Sequence, residues 1–374
     1  MHEKFDLHSI RGPPRQANKK PRDGQTGLKK RYFGGALLVA ATIALLVFAI
    51  YRWRTSGFDW SQFASALSHV DWSWILPGVA LILATYVIRA LRWEIMLRPL
   101  AKDPDLRRIF TATCIGFTAV VLFGRAGEPV RPYLIAKKEN VSFSSQIAAW
   151  LVERILDLLM VLLLFGVALT QVSSSAIEPG PKTRVVLETG GYVVGFIGLG
   201  SLALLLALSQ FRGRFLHRLL ESIGFLPERL RGRLRDAIGA FEEGMQSMRR
   251  PSYTALLAIY TIVEWLVIAG GFYCICRAFP VTARLSVADI LILLGFVAFG
   301  SAVQIPGIGG GMQVAAVVVL TEFFGVGLEA ASGVALVLWV VMWVTIVPLG
   351  LALAFHEGIK FRNLKTAIRS QESA

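Results

Sequence analysis

The chain is poor in the residues that ordinarily carry group-transfer or redox chemistry. It has three cysteines in 374 residues, Cys114, Cys274 and Cys276, all inside apolar runs. Cys274-Ile275-Cys276 lacks metal-site spacing and has no histidine beside it, so neither a zinc site nor a disulfide framework is indicated. The five histidines are scattered, with no pair at ligand spacing. No GxxxxGK[ST] occurs, so the chain carries no P-loop. Gly307-x-Gly309 has Met312 where a dinucleotide fingerprint needs its third glycine, and it follows no soluble strand. These absences leave no catalytic residue, no resident metal and no cofactor to assign. A basic groove with interleaved aromatics is also missing, which argues against nucleic acid as a partner. The first apolar run is of full span length and no small-residue cleavage pattern follows it, so a signal peptide is not expected.

What the chain has is lipid-compatible helix. The hydrophobic fraction is 55% and the mean hydropathy is +0.58. Several runs reach the roughly 20 apolar residues that a bilayer-spanning helix needs. The net charge of +14 is better read through its distribution, which sets topology and attracts anionic headgroups. Residues 1–32 are polar and basic, with several prolines, and read as a disordered cytoplasmic tail. A first span follows at 33–51. Trp60, Phe63 and Leu67 then suggest an amphipathic helix at the outer interface. The second span, from about Trp74 to Leu97, comes back inward. It holds Arg89 and Arg92 on one face, which either snorkel to inner headgroups or line a cavity.

Next comes an apolar run of only about 15 residues from Ile109, short for a span. It breaks at Gly124-Arg125-Ala126-Gly127-Glu128-Pro129-Val130-Arg131. Glycine and proline weaken helix there, and ionised groups inside apolar segments face partners or wet cavities. Both flanks are basic, so this stretch reads as a hairpin that enters from the cytoplasm and returns; an ordinary cytoplasmic loop is the plainer reading. The span at 141–171 carries Glu153, Arg154 and Asp157, with the two acids stacked four residues apart. They either hold a packing network or serve a site. A short loop at 172–186 and a span at 190–209 lead to a polar insert at 211–251, with nine arginines against five acids and helical apolar spacing. It reads as basic amphipathic helices on the inner surface. The span at 253–279 holds Glu264, without an adjacent base, so either protonated or turned toward a cavity. A second short apolar run breaks at Gln304-Ile305-Pro306-Gly307-Ile308-Gly309-Gly310-Gly311-Met312. The last span covers 328–355, and basic residues close a cytoplasmic tail at 357–374.

The two breaks lie about 182 residues apart. Each is flanked by spans, giving repeats at 74–171 and 253–355, and the extra span between them inverts the second. Reading each hairpin as a full span would put the nine-arginine insert outside, against the positive-inside rule. The expected fold is thus an all-α polytopic membrane protein: about six full spans plus two re-entrant broken hairpins, arranged as an inverted-topology repeat with a site where the breaks meet. Asp103-Pro104-Asp105 has the look of a metal-binding acidic pair, but it falls in a short cytoplasmic turn, where solvated charge is commonplace, and a solvated turn is the preferred reading.

Arg92-Trp93, Gly124-Arg125-x-Gly127-Glu128-x-x-Arg131, Glu153-Arg154-x-x-Asp157 and Pro306-Gly307-x-Gly309 together resemble the flippase-like membrane domain of lysylphosphatidylglycerol synthases and its stand-alone relatives. The resemblance covers roughly residues 33–356. It implies a lipid-translocating domain of a bacterial or archaeal cytoplasmic membrane, with both termini cytoplasmic. The chain stops at Ala374 with no soluble aminoacyl-transferase domain, so synthase activity is not expected. Met312-Gln313 stands where the second break would be expected to hold a carboxylate. The residues expected to bind substrate, a lipid with a phosphate headgroup, are Arg92, Arg125, Glu128, Arg131, Glu153, Arg154 and Asp157. Gly124, Gly127, Pro306, Gly307, Gly309 and Gly310 form the hairpin breaks, and Arg89 and Glu264 are further candidates. A lipid-modifying membrane enzyme, and a scaffold for a glycosyltransferase or lipid-synthesis partner, are the alternatives.

Overall fold

The computed structural model describes residues 57–172 and 250–359, with Gly198, Gly200, Gly232, Arg235 and Gly239. The expected span at 33–51, nearly all of 172–209, most of the insert at 211–251, the N-terminal tail and most of the C-terminal tail lie outside the described residues. Two units separate after Phe58, and the elements described below belong to the second.

Helix α1 (Trp60–Ser68) is short and buries no residue. Asp59 caps it, accepting from the backbone N–H groups of Ser61 and Gln62. The Ser61 hydroxyl, and then those N–H groups, hold the Asp59 carboxyl below its ordinary range. Helix α2 (Trp72–Leu97) is capped in the same way by Asp71. Pro77 lies at its sixth position, past the first turn, so the missing N–H removes the helical bond to the Ser73 carbonyl. Helix α3 (Leu106–Phe123) begins three residues before the apolar run expected from Ile109, because Asp105 Oδ1 accepts from Arg107 N at 2.8 Å. Asp105 is thus a helix cap. With its following turn α3 extends over Leu106–Gly127, 22 residues, so the run judged short from its apolar residues alone is long enough to cross a bilayer.

A single 3-10 turn (Gly124–Gly127) separates α3 from α4 (Val130–Glu139), and α5 (Phe143–Val172) follows. The α3–α4 pair leaves from and returns to one end of the bundle. There Arg108 Nη1 donates to Lys138 O at 3.5 Å, and Lys138 Nζ pairs with Glu357 just beyond the last helix. Helix α6 (Pro251–Arg277) runs to the other end, where Asp71 N donates to Ala278 O at 2.9 Å. Helix α7 (Val287–Gly300) leads into a two-stranded antiparallel hairpin, β1 (Gln304–Ile305) and β2 (Gly309–Gly310), then α8 (Gly311–Val318) and a π turn (Val319–Phe323). Helix α9 (Leu328–His356) closes the described part.

The main seam joins α2 to α6. It is lined with small residues: a Cβ on Gly78 would lie 3.4 Å from Cys274 Cβ, and one on Gly271 would lie 2.9 Å from the Ile82 side chain. Lipid tails are as apolar as leucine, so close backbone approach rather than water exclusion must hold such helices together. The three cysteines are buried free thiols that serve as small packing residues. Among the described helices, Trp72–Leu97, Leu106–Gly127, Ser252–Arg277 and Leu328–His356 are long and apolar enough to span a membrane; α7 and the α8 region are shorter apolar helices. Most of the described chain is helical, and the protein is a multi-pass membrane protein.

Candidate functional site

The two breaks touch. Gly124 sits at φ 63° and ψ −145°, a conformation open essentially to glycine alone. Gly127 faces the carbonyl of Ala119, which a Cβ would approach to 2.2 Å. The first glycine therefore turns the chain and the second lets it lie against α3. In the second break, Gly307, Gly309 and Gly310 all have positive φ, and Gly300 and Gly311 pack backbone to backbone. Gly307 N donates to Val121 O at 3.1 Å across the contact. Arg125 reaches over as well. Its Nη2 donates to Ser301 O at 3.0 Å, its Nε to Ala302 O at 3.3 Å, and its Nη1 pairs with Glu128.

Gln313 resolves the position where a carboxylate was expected. Its Oε1 accepts from Gly310 N at 2.7 Å while its Nε2 donates to Ile308 O at 2.8 Å. The turn offers one donor and one acceptor, which the amide answers together and an ionised carboxylate could not.

Behind the breaks lies an ion network drawn from four helices, α2, α4, α5 and α6. Arg92 of α2 is fully enclosed. Its Nη1 pairs with Asp157 of α5 at 2.8 Å and with Glu264 of α6. Arg89 Nη2 meets the other oxygen of Glu264 at 2.8 Å. Snorkelling is thus excluded for Arg92, and Glu264, which has no basic neighbour in sequence, takes two from α2. Arg131 of α4 spends both terminal nitrogens on Glu153 of α5, Nη1 on Oε1 at 3.2 Å and Nη2 on Oε2. Its face lies 4.1 Å from the Trp93 ring and 5.0 Å from the Phe117 ring. Arg154 bridges the two acids of its own helix through Nη2, 3.5 Å from Glu153 and 3.4 Å from Asp157.

This network opens on a cavity of about 430 Å³. Arg89, Arg125, Arg131 and Arg154 line it, with Glu128 and Asp157. The rest of the wall is mainly apolar or aromatic, including Phe117, Trp150, Leu158, Trp265 and Met342. Arg92, Glu153 and Glu264 stand behind the wall with no exposed side-chain surface. The wall therefore combines four guanidiniums and two carboxylates with a larger apolar surface. A wider cleft of about 570 Å³, lined by α1 and the start of α9, carries only His69 and Glu329 as titratable groups. Among the described residues, no group of three or more His, Cys, Asp or Glu side chains is placed to hold a metal.

Several contributors escape a reading of charge and glycine spacing. Gly116 lies under Arg131, whose Cβ would sit 2.5 Å from a Cβ there. Trp93 Nε1 donates to Gln146 Oε1 at 2.8 Å, which fixes the ring that Arg131 stacks on. Gln304 lines the cavity and has a buried Oε1 with no hydrogen-bond partner. Gln146 follows Ser142, Ser144 and Ser145 at the polar start of α5, where a further polar residue draws no notice; nothing local singles out Gly116.

The chain is similar to two curated archaeal proteins. A UPF0104 membrane protein of Methanothermobacter thermautotrophicus is 26% identical over 280 residues, which is 70% of this chain and 78% of that protein. Glycosyltransferase AglD of Haloferax volcanii is 26% identical over 191 residues, 46% of this chain but only 29% of AglD. No solved structure matches. The family model described as the lysylphosphatidylglycerol synthase TM region matches residues 35–350, a stretch that contains both breaks, the ion network and the cavity between them. The chain belongs to the lysylphosphatidylglycerol synthase transmembrane-region family.

Proposed function

We propose that the protein moves a lipid with a phosphate headgroup between the leaflets of the cytoplasmic membrane. The observation that carries this reading is the cavity wall: four guanidiniums, held by carboxylates, beside a long apolar surface. Guanidinium recognises phosphate through planar, charge-assisted hydrogen bonds, and the apolar remainder suits acyl or polyprenyl chain. The two breaks would act as re-entrant elements of an inverted repeat, opening the cavity to one leaflet and then the other. The contact between α3 and α4 at their shared end, and the meeting of the two glycine turns, support that arrangement. Basic residues at that end, Arg98, Arg107, Arg108, Lys137 and Lys138 among them, favour a cytoplasmic placement and cytoplasmic termini.

A second reading draws on the name of one relative. The likeness to a glycosyltransferase over 46% of this chain favours a membrane partner of a glycosyltransferase or of a lipid-synthesis enzyme. Reconstitution separates the two. Purified protein in liposomes should accelerate exchange of a fluorescent phospholipid between leaflets, with the lipid's mass unchanged. A mass shift would mark an enzyme instead. A protein that is folded and inserted yet moves no phosphate-bearing lipid would remove the transport reading.

A further inference from the structure

The same wall shows which arginine meets the ligand and how much charge it can take. We propose, resting on the lipid-site reading above, that Arg154 with Arg89 receives the ligand's phosphate, and that this is a phosphodiester carrying one negative charge. Arg125 and Arg131 line the cavity, but their N–H groups are largely committed. Arg131 places both terminal nitrogens on Glu153. Arg125 divides its donors among Glu128 and the carbonyls of Ser301 and Ala302. Arg92 is sealed behind the wall. Arg154 is different. Only its Nη2 is spent, at 3.4 and 3.5 Å, and its Nε is buried with no partner. A third of its side chain remains exposed, and it lines the cavity. Arg89 likewise commits one nitrogen to Glu264 and lays its face 4.6 Å from the Phe117 ring. The Arg154 Nε is a buried donor left unpaired, which is costly and points to a missing acceptor, and Arg89 has nitrogens beyond the one it gives to Glu264.

Charge sets the valence. The network holds five guanidiniums, Arg89, Arg92, Arg125, Arg131 and Arg154, against four carboxylates, Glu128, Glu153, Asp157 and Glu264. Each carboxylate is already paired, so one positive charge is left over. In a low-dielectric setting that excess favours one counter-anion. A phosphodiester cancels it. A pyrophosphate-linked carrier or a doubly ionised phosphomonoester overshoots and leaves a negative charge in the cavity.

Native mass spectrometry of the whole chain tests this with three probe lipids: phosphatidylglycerol, phosphatidic acid and undecaprenyl diphosphate. The deacylated headgroup glycerophosphoglycerol serves as a water-soluble diester. The wild type should bind phosphatidylglycerol about tenfold more tightly than the diphosphate lipid, the scale of one unit charge at moderate distance. The soluble diester should bind more weakly than the lipid, since it leaves the apolar wall bare. Arg154→Gln should lose about tenfold for every phosphate lipid, with Arg154→Lys intermediate because it keeps charge without the planar fork. Glu128→Gln, at the rim, raises the excess charge by one and should narrow or reverse the preference against the diphosphate. Equal binding of mono- and diphosphate lipids overturns the valence assignment. Unchanged binding by Arg154→Gln overturns the residue assignment. In either case continued phospholipid exchange in liposomes leaves the transport reading standing, whereas loss of both binding and exchange in the wild type removes that reading too.

Discussion

Glu153→Gln isolates charge from volume at the centre of the network. The Glu153 carboxylate is fully enclosed and holds Arg131 through both guanidinium nitrogens, with Arg154 at 3.5 Å. The amide is nearly isosteric, so what disappears is the countercharge. Arg131, its side chain 4% exposed, then keeps the faces of Trp93 and Phe117 and one amide acceptor, with no countercharge. Those cation–π contacts exist before and after the change and return nothing. Stripping one partner from a buried ion pair costs about 3–5 kcal/mol. At about 2–4 °C per kcal/mol for a large domain, the thermal midpoint should fall by roughly 10 °C. Replacing the remaining charge as well should restore most of the loss, because an apolar substitute for a buried ion pair is often neutral in stability. The double variant Arg131→Met with Glu153→Gln should therefore be more stable than Glu153→Gln alone, with a coupling of about 2 kcal/mol in a double-mutant cycle. Thermal unfolding in nanodiscs followed by tryptophan fluorescence gives the stabilities, and phospholipid exchange in liposomes gives the function. Stability that returns while transport stays lost would place the pair in the working site. A Glu153→Gln protein with an unshifted midpoint would refute the enclosed pair, and full transport by the double variant would refute its part in the site.

Gln313→Glu should weaken the second break by about 1–3 kcal/mol, since a carboxylate cannot donate to Ile308 O; the midpoint in nanodiscs reads it. Gly127→Ala should cost about 1–3 kcal/mol, because the new Cβ would meet Ala119 O at 2.2 Å; a midpoint equal to the wild type would contradict the close approach. Arg125→Lys should loosen the contact between the breaks, because one ammonium cannot serve Ser301 O, Ala302 O and Glu128 together, and hydrogen exchange at the Gly307 amide should quicken. The Asp59 carboxyl is held below its ordinary value by the Ser61 hydroxyl and backbone. Its capping contribution is therefore complete above the unfolded carboxylate pKa and is lost as pH falls through the lowered folded one. Amide exchange at Ser61 and Gln62 should accordingly rise only under acid, and not between pH 6 and 8.

Glycine, proline and charge made the breaks legible before any coordinates. Gly124-Arg125-x-Gly127 interrupts an apolar run, and each glycine has a steric duty that no larger residue could perform. The limits of the helices were harder. Asp105 begins α3 ahead of the continuous apolar run from Ile109, since a cap belongs to the helix it starts while lying outside its hydrophobic pattern. Glu264 was visible as an ionisable group inside a span, but its partners, Arg89 and Arg92, lie 172 or more residues away in the chain. Periodicity reports which face a residue occupies, not what the next helix brings to it. The duty of Gln313 was hidden for a related reason. An expectation framed around charge looked for a carboxylate, while the local backbone required a group that donates and accepts at once.

The glycine-lined seam between α2 and α6 has a mechanical consequence. Separating those two helices would strip Glu264 of both its partners and leave Arg89 without its carboxylate, while Arg92 would keep only Asp157. The pair must then travel as one rigid body through any working cycle. Whatever gives way is found elsewhere, and the lightest fastening described is where the two turns meet, a backbone bond and one guanidinium reaching to two carbonyls. A staple across α2 and α6 should therefore leave the molecule free to work, while one between the turns should jam it.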